Sequence, residues 1–306
     1  MKVFISYSSK HGEWVWDRLV PCLRAGGAGI LIDRERFQAG KGVVGQMNAT
    51  QDKADRHVLV LSPDYLASAY CLHELDRATA FDPHFERGTV IPVLRADCKL
   101  PRKITKPLYV DLHDDRKGAQ WKKLLDGCGA DLACDASEWF RVRDEVRRFL
   151  RRDDSVNLVI IGRPKWRELI GNLSSQDDPK GPLPRLSVID FQAGATASRR
   201  GLVTEIIQAL GGSIRVPQEP EDLVELDRFI KARGKSYLVL EHFDYAAKRD
   251  CYGIDLFATL RDLVTEKKNL VLLIQSRAPL ATLLPPDHPM SSPFSSLKTV
   301  EFRGSP

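Results

Sequence analysis

Tyr70 and Glu74 lie four residues apart in Ser68-Ala69-Tyr70-Cys71-Leu72-His73-Glu74, so a helix there sets an aromatic ring and a carboxylate on one face. Such a pair can hold a flat or cationic ligand. The stretch follows an apolar run, residues 57–61, which ends in Ser62-Pro63-Asp64-Tyr65-Leu66. A strand that stops at Ser-Pro delivers the chain to the carboxyl edge of a sheet, where open α/β folds place their ligands. Against this stands the commoner fate of a helical Glu, a solvated surface charge.

The elements that must position these residues begin at the N-terminus. Lys2-Val3-Phe4-Ile5-Ser6-Tyr7-Ser8 reads as a short apolar strand ending in hydroxyls. Residues 13–23 carry Trp14, Leu19 and Leu23 with a helical period, and Gly26-Gly27-Ala28-Gly29 ends that helix. Residues 29–33 read as a second strand, residues 34–42 as a polar loop with Gly40 and Gly42, and a helix is expected from about residue 43. The unit β-α-β-α-β-α predicts a parallel sheet with helices on both faces.

These residues resemble the TIR domain. The first box is Phe4-Ile5-Ser6-Tyr7-Ser8; the second is Asp33 with the loop through Gly40. Val60-Leu61-Ser62 with Tyr65-Leu66 is the third, and Ser68-x-Tyr70-Cys71-x-x-Glu74-Leu75 the last. The resemblance covers roughly residues 1–150 and implies a flavodoxin-like parallel sheet. It is closest to the NAD-consuming bacterial members, because the family's acid is matched by Glu74. Two departures stand out: Tyr70 replaces the usual Trp, and Lys41-Gly42 follows Gly40 where an acidic residue is commoner.

The resemblance implies cleavage of NAD between ribose and nicotinamide, with NAD as substrate and no cofactor. Nicotinamide leaves a pyridinium as a neutral molecule, so no general acid is required. The difficulty is the oxocarbenium-like ribose, as in other glycoside cleavages. One carboxylate beneath the sugar stabilises that cation, a preorganised electrostatic role that falls to Glu74. Tyr70 and Cys71 would flank the ribose or nicotinamide, Tyr7 and Ser8 would line the site, and Asp33 and Gly40 would belong to its covering loop. Packing and capping are equally good explanations for Tyr7, Asp33 and Tyr70. The family also implies activation by TIR–TIR association and a role in bacterial antiphage defence. The reading from a different class is an adaptor that signals only through protein–protein contacts.

Composition bounds these readings. The 306 residues suffice for two domains, and 43% hydrophobic with 28% charged residues describes a globular chain. No apolar run reaches the ~18 residues needed to cross a bilayer, and the chain enters a strand without a signal peptide, so a cytoplasmic protein is expected. Six Cys without a C-x-x-C pair and seven scattered His predict reduced thiols and no metal.

Further strands are expected at residues 89–94 and 108–112, then an arginine-rich helix over 139–152 whose apolar residues form one stripe. The net charge of +5 invites a nucleic-acid reading, but no stacking platform or reading helix accompanies it. Asp153-Asp154-Ser155 breaks the pattern, and the boundary is placed there: a TIR domain over 1–152 and a second α/β domain over 153–306.

The second domain opens on a strand, 156–161, running into Gly162. A phosphate-binding loop counted from Gly162 needs Gly, Lys and Ser/Thr at 167–169, where the chain has Arg167, Glu168 and Leu169. Strands follow at 186–190, 237–241 and 270–274, with helices at about 199–210, 221–233 and 254–267, a loop over 281–293 and a last strand over 298–302. Glu241 and Asp244 stand where a second-motif acid would be. The order resembles a degenerate P-loop NTPase core of the kind found in signal-transducing ATPases. Such a domain is expected to dock a protein partner or sense a small nucleotide signal rather than hydrolyse ATP.

Overall fold

The computed structural model describes residues 1–32, 48–104, 109–154, 157–162, 165–173, 181–213, 215–291 and 298–302. It divides into two compact units, one built mainly from Met1–Arg141 and including Arg167–Asn172, the other from Val142–Trp166 and Gly181–Pro306. The dividing line falls within the helix Ala136–Leu150.

The first unit is a five-stranded parallel sheet. Its strands are β1 (Lys2–Tyr7), β2 (Gly29–Leu31), β3 (Arg56–Leu61), β4 (Val90–Leu94) and β5 (Val110–Asp111), in the order β2-β1-β3-β4-β5. This is the flavodoxin-like order, and chain direction across the sheet reverses between β1 and β3. Both central strands are buried on both faces, which is why they read as unbroken apolar runs.

The helix after β1 is irregular: Gly12–Trp14, then a π turn at Val15–Leu19, then Val20–Ala25. Pro21 lies inside it and has no N–H for the helical ladder, which accounts for the departure from α geometry. Gly27, at φ +90°, closes the helix, and the Ala28 N–H reaches back to the Leu23 carbonyl at 2.9 Å. Trp14 packs on Trp121 with ring centroids 6.0 Å apart, and Trp121 meets Phe140 edge-on at 4.9 Å. The helix Gly118–Gly127, which carries Trp121, has no counterpart in the sequence reading.

The second unit holds β6 (Asn157–Ile161), β7 (Leu186–Asp190), β8 (Ser236–Glu241), β9 (Leu270–Ser276) and β10 (Lys298–Glu301), all parallel in the order β10-β6-β9-β8-β7. Helices Arg199–Ala209, Glu221–Arg233 and Gly253–Thr265 bury Leu202, Ile206, Leu226, Ile230, Leu260 and Leu263 in one core with these strands. Within the expected 281–293 loop the chain instead makes a short helix, Leu280–Leu283, and buries Met290 completely. Apolar side chains in that Pro- and Ser-rich stretch outweigh its loop-like composition.

Arg199 ties three elements of this unit. Its Nε and Nη2 each donate to Asp222 at 2.8 Å, and Nη1 donates to Asp255 at 2.6 Å. Asp222 is fully buried, so this pair stands in a low-dielectric setting.

Candidate functional site

Ser68 caps the helix Ala69–Phe81, its Oγ accepting from the Cys71 N–H at 3.3 Å. The buried stripe of that helix is Cys71, Glu74, Leu75, Ala78 and Thr79. Glu74 thus occupies an interior position on an amphipathic helix and is only 8% exposed. A carboxylate there requires donors, because burying it bare would cost several kcal/mol.

The donors come from the strand edge. Ser6, near the carboxyl end of β1, donates its hydroxyl to Glu74 Oε2. Ser6 has one proton to give, so the Tyr65 hydroxyl, 2.8 Å away, donates to Ser6 in turn. Tyr65 lies in the turn Pro63–Leu66 after β3, whose start is capped by Ser62. Burial pushes the Tyr65 phenol well above its ordinary pKa; the bond to Ser6 opposes this and the Glu74 charge adds to it. The chain Tyr65–Ser6–Glu74 therefore joins β1 to the exit of β3, at the reversal point of the sheet. Gln51 adds a bond from its Nε2 to the Glu74 carbonyl, fixing the helix beneath the acid.

The remaining expected site residues divide. Tyr7 is buried and its hydroxyl accepts from Trp16 Nε1 at 3.0 Å; Ser8 is buried and caps the turn Ser9–His11. Cys71 lies in the apolar cluster with Leu75 and Tyr65. Tyr70 is 62% exposed, so the shared face it was expected to form with Glu74 runs from solvent to interior. Asp33 and Gly40 lie outside the described residues, as does the covering loop. Ser6, Tyr65 and Gln51 were not among the expected site residues. Ser6 and Tyr65 both sit inside the quoted boxes, and their being hydroxyls at strand ends was the signal available.

A cleft of about 400 Å³ opens in the same unit, lined by Lys10, His11, Trp14, Arg18, Arg95 and His113 together with Glu13 and Asp17. Lys10 and His11 follow β1, Arg95 follows β4 and His113 follows β5, so it too belongs to the carboxyl edge. The Arg95 guanidinium lies 4.6 Å from the Trp14 ring centroid. Burial lowers the His11 pKa, Arg95 lowers it further, and the imidazole Nε2 has no hydrogen-bond partner. The lining mixes both signs: Arg18 pairs with Asp17 at 3.4 Å and Arg95 with Asp115 at 3.5 Å.

The carboxyl edge of the second unit carries different chemistry. Asp190 and Glu241 are partners in the β7–β8 register, and His242 follows at once. Among the described residues, Asp190, Glu241 and His242 are the group whose ligand atoms lie within 4.8 Å of one another. The expectation of no metal rested on scattered His and Cys in the sequence, which this register brings into proximity with acids. In the phosphate-loop region, Leu169 is fully buried in the helix Trp166–Leu173.

Known proteins bear on the first unit. The TIR domain family model matches residues 3–125. Toll-like receptor 1 of Homo sapiens is 35% identical over 72 residues, which is 24% of this chain and 9% of the receptor. Toll-like receptor 6 of Bos taurus matches over the same length with the same identity and coverage. The chain thus matches about 9% of the length of these curated relatives. Among solved structures, the TIR domain of the Toll-related receptor TRR-2 from Hydra magnipapillata aligns with 40% of this chain and 94% of its own, at 24% identity and a TM-score of 0.36. The ORC1 protein of Aeropyrum pernix, solved in complex with DNA, aligns with 54% of this chain and 44% of its own, at 19% identity and a TM-score of 0.41. With the flavodoxin-like order and the ordered boxes from Phe4 to Leu75, the family match gives the N-terminal unit its identity: it is a TIR domain.

Proposed function

We propose that the TIR unit is an NAD hydrolase in which Glu74 is the catalytic acid residue, working as a carboxylate. The observation that carries this reading is a buried carboxylate held by Ser6 and Tyr65 at the β1/β3 reversal point. In the reaction the C1′–N bond of the nicotinamide ribose breaks and its electron pair leaves with neutral nicotinamide. Water adds to C1′ and loses a proton, giving ADP-ribose. Glu74 would face the developing positive charge, with the Ser6 hydroxyl among the groups that orient it. The cleft around Lys10, Arg18 and Arg95 would take the diphosphate, whose oxygens would compete with Asp17 and Asp115 for the guanidiniums. Residues 1–152 are assigned to this domain and 153–306 to a partner- or ligand-sensing domain in a cytoplasmic immune effector. Association of TIR units would raise turnover by placing two units at high local concentration.

The decisive experiment is NAD turnover by the assembled chain with and without Glu74→Gln. The variant keeps volume and an acceptor for Ser6, and a loss of about 100- to 1000-fold is expected. Turnover equal to the parent would overturn the reading. A second reading, a non-catalytic adaptor, is favoured by Tyr70 and Leu72, exposed by 62% and 37% on the Glu74 helix. Each is an exposed apolar side chain open to a protein contact, on a different side of the helix. An adaptor would bind its partner unchanged in Glu74→Gln and lose it with Tyr70→Ala.

A further inference from the structure

We propose that Glu241 and His242 in the second unit bind one divalent transition-metal ion, with Asp190 orienting the imidazole from behind and zinc the expected occupant. The His242 ring is oriented as a ligand. Its Nδ1 lies 2.7 Å from Asp190 Oδ1, and a carboxylate can only accept, so Nδ1 carries the proton and Nε2 presents its lone pair. That is the arrangement in which an outer carboxylate fixes the tautomer of a metal-binding histidine. Nε2 lies 3.9 Å from Glu241 Oε1, too far for a hydrogen bond and a spacing that one ion can bridge. The residue is buried, with 9% of its surface exposed.

The backbone is fixed for the same purpose. His242 stands at φ +61°, a left-handed conformation that a side chain seldom adopts. Its N–H donates to Gln275 Oε1 at 2.8 Å, and Gln275 Nε2 donates to the Gly162 carbonyl at 3.0 Å. Gln275 is fully buried, so one amide links the ends of β6, β8 and β9 around the imidazole. Asp244, two residues on, is buried and its Oδ1 has no hydrogen-bond partner.

Ligand chemistry selects the ion. The Glu241 carboxylate and the Asp190 carboxylate behind the imidazole balance a charge of +2, and imidazole nitrogen favours zinc, copper, iron or nickel over magnesium. The site needs no nucleotide, consistent with Glu168 standing where a phosphate-binding Lys would be.

The test uses the full chain, free of any affinity tag, stripped with chelator and equilibrated with Zn²⁺ or Co²⁺. One ion retained per chain is expected, with Co²⁺ absorption of nitrogen and oxygen ligation. His242→Gly should abolish retention while folding at least as well, because Gly accepts φ +61° without steric cost. Glu241→Gln, nearly isosteric, should also abolish it, and Asp190→Asn should weaken affinity about 10- to 100-fold. No retained ion, retention unchanged in His242→Gly, or cobalt–thiolate absorption would each overturn the proposal. So would preference for Mg²⁺ over Zn²⁺.

Discussion

The two units satisfy the acids at their carboxyl edges by different means. In the first, the Glu74 carboxylate takes the Ser6 hydroxyl, which is backed by Tyr65. In the second, Asp190 and Glu241 stand side by side in register with an imidazole between them. Hydroxyls leave a carboxylate its negative charge, so the first edge is suited to a cation that exists only briefly, in a transition state. Two acids and an imidazole suit a cation that stays. Under the two proposals above, similar parallel sheets would offer transient and permanent charge stabilisation according to which residues end the strands.

The largest expected effect tests how far the second unit relies on permanent cations. Arg199→Met would leave the buried Asp222 carboxylate without its bidentate partner, and a loss of about 3–5 kcal/mol in unfolding free energy is expected. Adding Asp222→Leu should recover much of it, since a matched apolar pair replaces a broken ionic one. Urea denaturation of parent, single and double variants measures both. A single variant as stable as the parent would show the ion pair to be dispensable.

Next in size is the Ser6 hydroxyl at the first edge. Ser6→Ala removes the donor to a buried carboxylate and leaves Tyr65 without its acceptor, for a cost of about 1–3 kcal/mol. Turnover of NAD should fall with it, because the acid loses its orientation. Tyr65→Phe should cost less, since Ser6 still reaches Glu74. Equal losses in the two variants would mean that Tyr65, and not Ser6, holds the acid.

A pH effect separates the first sheet from its edge. His57 lies buried in β3, stacked on Phe81 with centroids 5.2 Å apart, and burial lowers its pKa from 6.5 to about 4. Above pH 6.5 the ring is neutral in both folded and unfolded chains. Below it the unfolded chain takes the proton first, so folding loses about 1.4 kcal/mol per pH unit until the folded ring also protonates near 4. Between pH 6.5 and 5, His57→Leu should lack about 2 kcal/mol of the parent's loss. Parallel stability profiles for the two proteins would refute the assignment.

Sequence made the sheets legible because parallel strands buried on both faces read as apolar runs: residues 57–61 and 270–274 needed no pairing information. The helix Gly118–Gly127 was not, since its buried residues Trp121, Leu124 and Leu125 are separated by lysines and flanked by a weak start. Glu74 could be picked out by its spacing from Tyr70, but its donor Ser6 is 68 residues away and becomes a partner only when β1 pairs with β3. The Asp190–His242 contact spans 52 residues and depends on the β7–β8 register, which scattered histidines in a one-dimensional string conceal. Spacing alone could not say that Tyr70 would stand 62% exposed while Glu74, four residues on, is buried.

The smallest expected effect is none, and it sharpens the contrast between the two edges. Magnesium-ATP should leave the melting temperature of the full chain unchanged, where Zn²⁺ should raise it with the logarithm of free metal above its Kd. The nucleotide's phosphates would meet Glu168 where the motif requires a cationic side chain, and repulsion replaces attraction. Leu169, where a metal-binding hydroxyl belongs, is fully buried and presents no oxygen. Magnesium would also meet a site whose imidazole is better suited to zinc. Calorimetry and thermal melts of the same preparation, with each ligand added separately, measure the difference. A melting shift with magnesium-ATP that survives in His242→Gly would show that this edge still holds a nucleotide.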